Sequence, residues 1–316
     1  MIRRRTLAAL APAWLAACAA PPQTAALRSS LHARAGARAP VELDDTPFFP
    51  QTELQCGPAA LATVLAAAGH PADPARLAEE VFLPARGGTL QAEMLAGARR
   101  HGALAVTLPQ RLDALMAELD AGTPVVVLQN LGLSFAPRWH YAVLVGHDLA
   151  ADTLVLRSGT TRRATMGFTP FEHTWARSGH WAFVALAPGR LPASADEASV
   201  TQALLAFERV ASAEDAARGY GVASARWPDS LTLAMGLGNT RHAAGDMAGA
   251  AAAFEQAARR HDSAAAWNNL ARVQWQQHNA AEARASADRA VRRARQAEPK
   301  WLDAALATAQ AVGAVP

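Results

Sequence analysis

Around Gly189–Asp196 (GRLPASAD) the sequence changes period, and two kinds of chain meet there. Upstream, apolar residues recur at helical spacing over 73–82, 89–101 and 110–120, the last closed by Gly122. Strand-like segments follow: PVVVLQNL (124–131), HYAVLVGHD (140–148), TLVLRSG (153–159) and HWAFVALAP (180–188). Helices first and strands after read as an α+β body with an antiparallel sheet. Downstream, from Ser199 on, nearly every residue is a helix former and alanine dominates. A chain of this build is expected to fold as two domains, each with its own core.

The downstream half also repeats. Ala216, Tyr220, Ala223 and Pro228 recur 34 positions on as Ala250, Phe254, Ala257 and Asp262. Ala283, Ala287 and Ala290 follow 33 later, and Leu237-Gly238 corresponds to Leu270-Ala271. Small residues let paired helices approach, and the aromatic fills the gap between units. The spacing and the small–small–aromatic order resemble the tetratricopeptide repeat. That resemblance implies an all-α stack over 197–316, closed by a helix from Trp301 to Val312, with a surface for a protein or peptide partner.

The N-terminus places the chain in a compartment. Arg3, Arg4 and Arg5 precede a short apolar stretch, Thr6–Ala17, too short to span a bilayer and built like a secretory signal. It ends Leu15-Ala16-Ala17-Cys18, which resembles a bacterial lipoprotein cleavage box. The expectation is a signal peptide over 1–17, cleavage before Cys18, and acyl chains on Cys18 that hold the protein at a membrane. Ala19, rather than an aspartate, points to the outer membrane facing the periplasm. Residues 18–43 read as a lipidated tether of Ala, Pro, Arg and Ser.

With Cys18 acylated, the chain's second cysteine, Cys56, has no disulfide partner. A free cysteine is often only a small buried apolar residue. The setting QTELQCGPAALATVL (51–65) suggests more. Gly57 and Pro58 suit the entry to a helix, and the run stops at Gly69-His70-Pro71. Cys56 therefore sits at a helix N-terminus, where the macrodipole favours a thiolate.

A thiolate nucleophile needs a base. Of ten histidines, His140 sits best, at the opening of a strand. His147 is expected past the turn and exposed. His173 and His180 flank a second aromatic segment, and His70, His101 and His261 lie at helix ends as C-terminal caps. Trp139, Trp175 and Trp181 are expected in the core ahead of a substrate cleft.

QTELQCGPAALATVL followed by WHYAVLVGHD resembles the papain-like cysteine peptidases that process bacteriocin leaders after a double glycine, and their envelope relatives. The resemblance covers about residues 45–188 and sets a peptidase domain at 44–188, with 189–196 as linker. It implies Cys56 as nucleophile, His140 as general base and acid, and an upstream glutamine as oxyanion donor. Gln51 is the choice, since Gln55 adjoins the nucleophile and would have to fold back sharply. The family usually carries an acid on the strand after the histidine strand. Here that strand is DTLVLRSGTTRR, and Ser158 falls at the acid's place. Asp148 and Asp152 are close in sequence but not well placed.

The balance of 30 basic and 27 acidic residues, net +3, gives no footprint for nucleic acid once the signal's arginines are discounted. The run RAVRRAR (289–295) reads as a solvated helix face, or else as a docking surface for an acidic peptide or lipid headgroup. No phosphate loop, metal-ligand spacing or cofactor motif is present. Two functions fit: an envelope-anchored cysteine peptidase whose repeats hold a protein substrate or partner, or a non-catalytic scaffold with two binding surfaces. A third keeps the Cys–His pair for acyl transfer, since both reactions pass through one thioester.

Overall fold

The computed structural model describes residues 21–33, 39–50 and 55–313. In chain order the first elements are α1 (Pro22–Ala33), β1 (Val41–Glu42), α2 (Cys56–Ala67), α3 (Pro74–Val81), α4 (Gln91–Arg100) and β2 (Leu104–Thr107). Then come α5 (Leu112–Asp120), β3 (Val125–Asn130), β4 (Trp139–Asp148), β5 (Thr153–Ser158), β6 (Thr161–Gly167), α6 (Phe168–Ala176) and β7 (Ala182–Leu186). The remainder is helical: α7 (Glu197–Phe207), α8 (Ala213–Arg226), α9 (Leu231–Ala243), α10 (Met247–His261), α11 (Ala264–Gln276), α12 (Ala280–Gln296) and α13 (Leu302–Gly313). The strands run in the order β2-β7-β3-β4-β5-β6, and β1 pairs with β4 off that path. The pairs β3–β4, β3–β7, β4–β5, β5–β6 and β1–β4 are antiparallel. The expected helices-then-sheet body and all-helical second half are both present.

The chain divides into two compact units, residues up to 67 with 72–90 and 108–184, and residues 68–71 with 91–107 and 185 onward. In the first unit, α2 is buried from Gly57 to Leu65 without a polar stripe, as befits a helix enclosed on all sides. It packs on β3 and β4. All six residues of β3 are buried, and its run of three valines suits a strand covered on both faces. The outer strand β6 instead exposes Arg162 and Arg163, which guards that edge.

Four sequence expectations change here. Residues 22–33 are not a featureless tether but a helix, held by partners far along the chain. The buried Glu172 carboxylate accepts from Gln23 N–H (3.0 Å), Thr24 N–H (2.6 Å) and the Thr24 hydroxyl (2.6 Å). DTLVLRSGTTRR is two strands, because Gly159 takes φ +57 and turns the chain between β5 and β6. His147 is not exposed: the strand β4 runs on through it, it is 1 % exposed, and its Nε2 lies 2.8 Å from Asp120 Oδ1. Residues 168–176, to which the sequence assigned no element, form helix α6, whose Phe168, Phe171 and Trp175 fill the core. Of the three tryptophans expected in the core, Trp175 is fully buried but Trp139 is 53 % exposed.

In the second unit, α7 packs on β2 and opens on Asp196, whose side chain accepts from Ser199 N–H. Beyond it, each helix packs on its neighbour through α13. The repeat's aromatic positions work as their spacing implies. A Cβ at Gly236 would lie 2.3 Å from the Tyr220 ring, and one at Gly238 would lie 2.4 Å from the Phe254 ring. Part of the basic run is structural: Arg289 stacks over the Trp267 ring at 4.7 Å, and Arg293 reaches Asp262 and Glu298 at 3.5 Å.

Candidate active site

Cys56 is the first residue of α2, and the Gln55 carbonyl before it accepts the helix bond from Ala59 N–H at 3.1 Å. First-turn N–H groups have no partner within a helix, so donors gather around this position. The Cys56 thiol receives hydrogen bonding from the backbone of Tyr141, of Gly57 and of Cys56 itself. Tyr141 follows His140 in β4, so the sulfur lies against the strand that carries the histidine.

His140 is the second residue of β4, opposite Gln129 of β3. Its Nε2 lies 2.8 Å from Ser158 Oγ, the last residue of β5. The two aspartates near in sequence serve elsewhere. Asp148 accepts from Ala150 and Ala151 N–H in the turn, and Asp152 holds Arg28 by two bonds of 3.0 and 2.7 Å. His173 is exposed on α6, and His180 packs edge-on against Trp175 at 4.8 Å. Gln51 and Cys18 lie outside the described residues.

The electrostatics differ from the expected standing thiolate. Burial is the largest influence on Cys56 and pushes its thiol above the ordinary value, outweighing the backbone donors. Burial first, and Arg138 second, push the His140 imidazole below its ordinary value. Both shifts favour the uncharged forms, thiol and imidazole, because burial penalises charge on either group.

Two residues around the nucleophile, Thr89 and Tyr141, were not singled out from the sequence. A Cβ on Gly57 would lie 2.6 Å from Thr89 Oγ1, so the glycine is required by that close approach. The Thr89 carbonyl accepts from the Tyr141 hydroxyl at 3.1 Å. Thr89 thereby touches the residues that follow both Cys56 and His140. The only sequence hint is its place after Gly87-Gly88, and nothing there ties it to α2. Among the described residues, no group of three or more His, Cys, Asp or Glu is arranged to hold a metal ion.

A helix-borne cysteine against a histidine strand in an antiparallel sheet defines a papain-like arrangement. Residues 43–183 match the model of the Peptidase_C39 like family. The structure is similar to that of a putative C39-like peptidase from Bacillus anthracis, with 20% identity, 47% of this chain and 98% of that chain covered, and a TM-score of 0.40. It is also similar to the peptidase domain of Streptococcus ComA, a bi-functional ABC transporter, with 21% identity, 45% and 98% covered, and a TM-score of 0.38. A third similarity is to the Yersinia enterocolitica type III secretion chaperone SycD in complex with a peptide of the translocator YopD, with 19% identity, 36% and 90% covered, and a TM-score of 0.34. No curated protein matches the chain.

Proposed function

We propose that the chain is a cysteine peptidase, held at the bacterial envelope through a lipid on Cys18, probing peptides with its repeat half. The observation that carries the catalytic part is the His140–Ser158 bond of 2.8 Å beside a helix-start cysteine hydrogen-bonded by the next residue, Tyr141. In this reading the Ser158 hydroxyl oxygen accepts a hydrogen bond from His140 Nε2–H, which fixes the tautomer and leaves Nδ1 as the base. His140 removes the Cys56 thiol proton as sulfur attacks the peptide carbonyl carbon. The oxyanion that forms is met by the Cys56 N–H and a donor from Gln51. The C–N bond breaks as His140 returns the proton to the leaving amine, and a thioester remains. Water then gives a proton to His140 and attacks the thioester. The carboxylate product leaves, and Cys56 is reprotonated. Ser158 orients the ring without a charge to stabilise imidazolium, so proton transfer and attack are expected to be concerted.

The repeat half contributes a groove lined by Asn239, His242, Asn269, Arg272 and Gln276 on α9 and α11. These side chains supply donors and no acid, which suits peptide carbonyls and carboxylates. The second reading, a non-catalytic scaffold, draws on the raised thiol and the serine at the acid's place. A peptide carrying a thiol-directed electrophile separates the two. Labelling of Cys56 that vanishes in both Cys56→Ala and His140→Ala supports the peptidase. Labelling that His140→Ala leaves unchanged removes the dyad.

A further inference from the structure

Between β3 and β4 the chain turns through 131–138, and this hairpin is tightly held. Leu131 N–H donates to the Arg138 carbonyl (2.9 Å), and Leu133 and Ala136 exchange bonds of 3.2 and 3.1 Å. Asn130 Oδ1 accepts from Gly132 and Arg138 N–H, both at 2.9 Å. Arg177, just past α6, donates to the carbonyls of Asn130 (3.2 Å) and Gly132 (2.7 Å). Yet its large side chains face out: Leu131 is 43 %, Leu133 54 %, Phe135 85 % and the adjoining Trp139 53 % exposed. Half of the exposed large hydrophobics among the described residues fall in these nine positions. Trp139 pairs with Asn130 and Leu131 with Arg138, so the ordered turn presents large apolar side chains on both of its faces, and such a cluster marks a contact site.

Its position says what it meets. Helix α1 runs antiparallel to α6: Arg28 bonds Thr169 Oγ1 (3.1 Å), while Thr24, nearer the N-terminus, bonds Glu172. Following α1 backward therefore leads along α6 toward Arg177, which grips the hairpin. A second path agrees. Gln23 Nε2 donates to the Gln110 carbonyl (3.1 Å), Leu108 N–H to Ala182, and Leu128 N–H to Trp181, which reaches the end of β3. The start of α1, the hairpin and His140 thus share one end of this unit. Cys18 is three residues before Pro21, a span of at most about 11 Å of chain.

We propose that the 131–139 hairpin dips into the interface of a phospholipid bilayer and seats the catalytic end on the membrane. The choice of a membrane over a peptide as occupant rests on the lipid anchor proposed above. Leucines and aromatics beside an exposed arginine, Arg138, are the composition that partitions into the headgroup boundary. An anchor at this end would hold the hairpin where it can insert, and one acyl site plus an apolar wedge would fix orientation as well as attachment. Substrate would then be met at the membrane surface.

The test uses the chain from residue 18 onward with Cys18→Ala, which removes the acyl site and no described residue. Its sedimentation with liposomes of phosphatidylethanolamine and phosphatidylglycerol is measured. The chain should bind, and Leu133→Ser and Phe135→Ser should each weaken partition about tenfold. Ser134→Asp, which removes no packing, should weaken it too, and Cys56 labelling by a short peptide electrophile without liposomes should stay unchanged in all three. Failure of the parent chain to bind, or undiminished binding by the variants, overturns the proposal. Loss of peptide labelling with liposome binding intact makes the hairpin a substrate surface and overturns it equally. The mass of the N-terminal peptide from membrane-extracted protein reads the anchor separately. A chain without acyl groups there whose liposome binding still depends on Phe135 retires the anchor and sustains the hairpin.

Discussion

At the scale of residues, burial sets the pH behaviour expected of Cys56 and His140. Burial lowers His140 from its ordinary value of 6.5 and raises Cys56 from 9.0. The form the proposed mechanism uses, neutral imidazole with thiol, persists between the two, so kcat/KM should show a broad bell. Its acid limb falls below the ordinary histidine range, and its alkaline limb above the ordinary cysteine range. Alkylation of Cys56 by iodoacetamide should climb steadily through neutral pH. A rate already flat at pH 7 would mean a standing thiolate and contradict the burial argument. Ser158→Ala removes one neutral hydrogen bond and should lower kcat/KM about tenfold. Ser158→Asp places a carboxylate on the imidazole, stabilises imidazolium and should move the acid limb to higher pH. Cys56 and His140 were singled out from residue type and element position and Ser158 from the family resemblance, and the structure brings His140 and Ser158 to 2.8 Å. The thiol's electrostatics were not legible, because the helix-start argument carries no measure of burial.

Elements were legible where their own residues specify them. The valine run of β3 and the strand β4 announce themselves, and so does the alanine pattern of the repeats. Helix α6 did not, and no element was assigned to it, because FTPFEHTWA mixes proline with aromatic and β-branched residues that give no clear helical period. Helix α1 failed for another reason: its first turn is satisfied by Glu172, 148 residues from Thr24. Sequence windows cannot contain such a partner. Replacing it tests the account. Glu172→Ala leaves the Gln23 and Thr24 N–H groups without their acceptor in a buried setting, a cost of about 2–3 kcal/mol. Limited proteolysis should then cut within 22–33 at least tenfold faster, while electrophile labelling of Cys56 persists. Unchanged protection would show that the remaining bonds of Gln23 and Arg28, to Gln110, Leu112, Asp152 and Thr169, hold the helix without Glu172.

At the scale of the molecule, the change of period at 189–196 marks where strands give way to helices, but compactness divides the chain differently. Residues 91–107, carrying α4 and β2, group with the helices beyond 185. The reason is visible within that unit: α7 packs on β2, and Val200, Leu204 and Phe207 are wholly buried, as are Leu104 and Val106. A fragment ending at residue 190 keeps β2 and loses its cover. One ending at 211 keeps α7 and leaves out the rest of the stack. Uncovering even two such side chains costs about 3–6 kcal/mol. In a fragment of this size that lowers the melting temperature by on the order of 10 °C. Fragments 21–190 and 21–211 should therefore differ by that much in thermal unfolding, with the longer one cooperative and reactive at Cys56. Equal melting temperatures would show that α7 stabilises only the helices beyond it, and the peptidase segment would then end where its strands do.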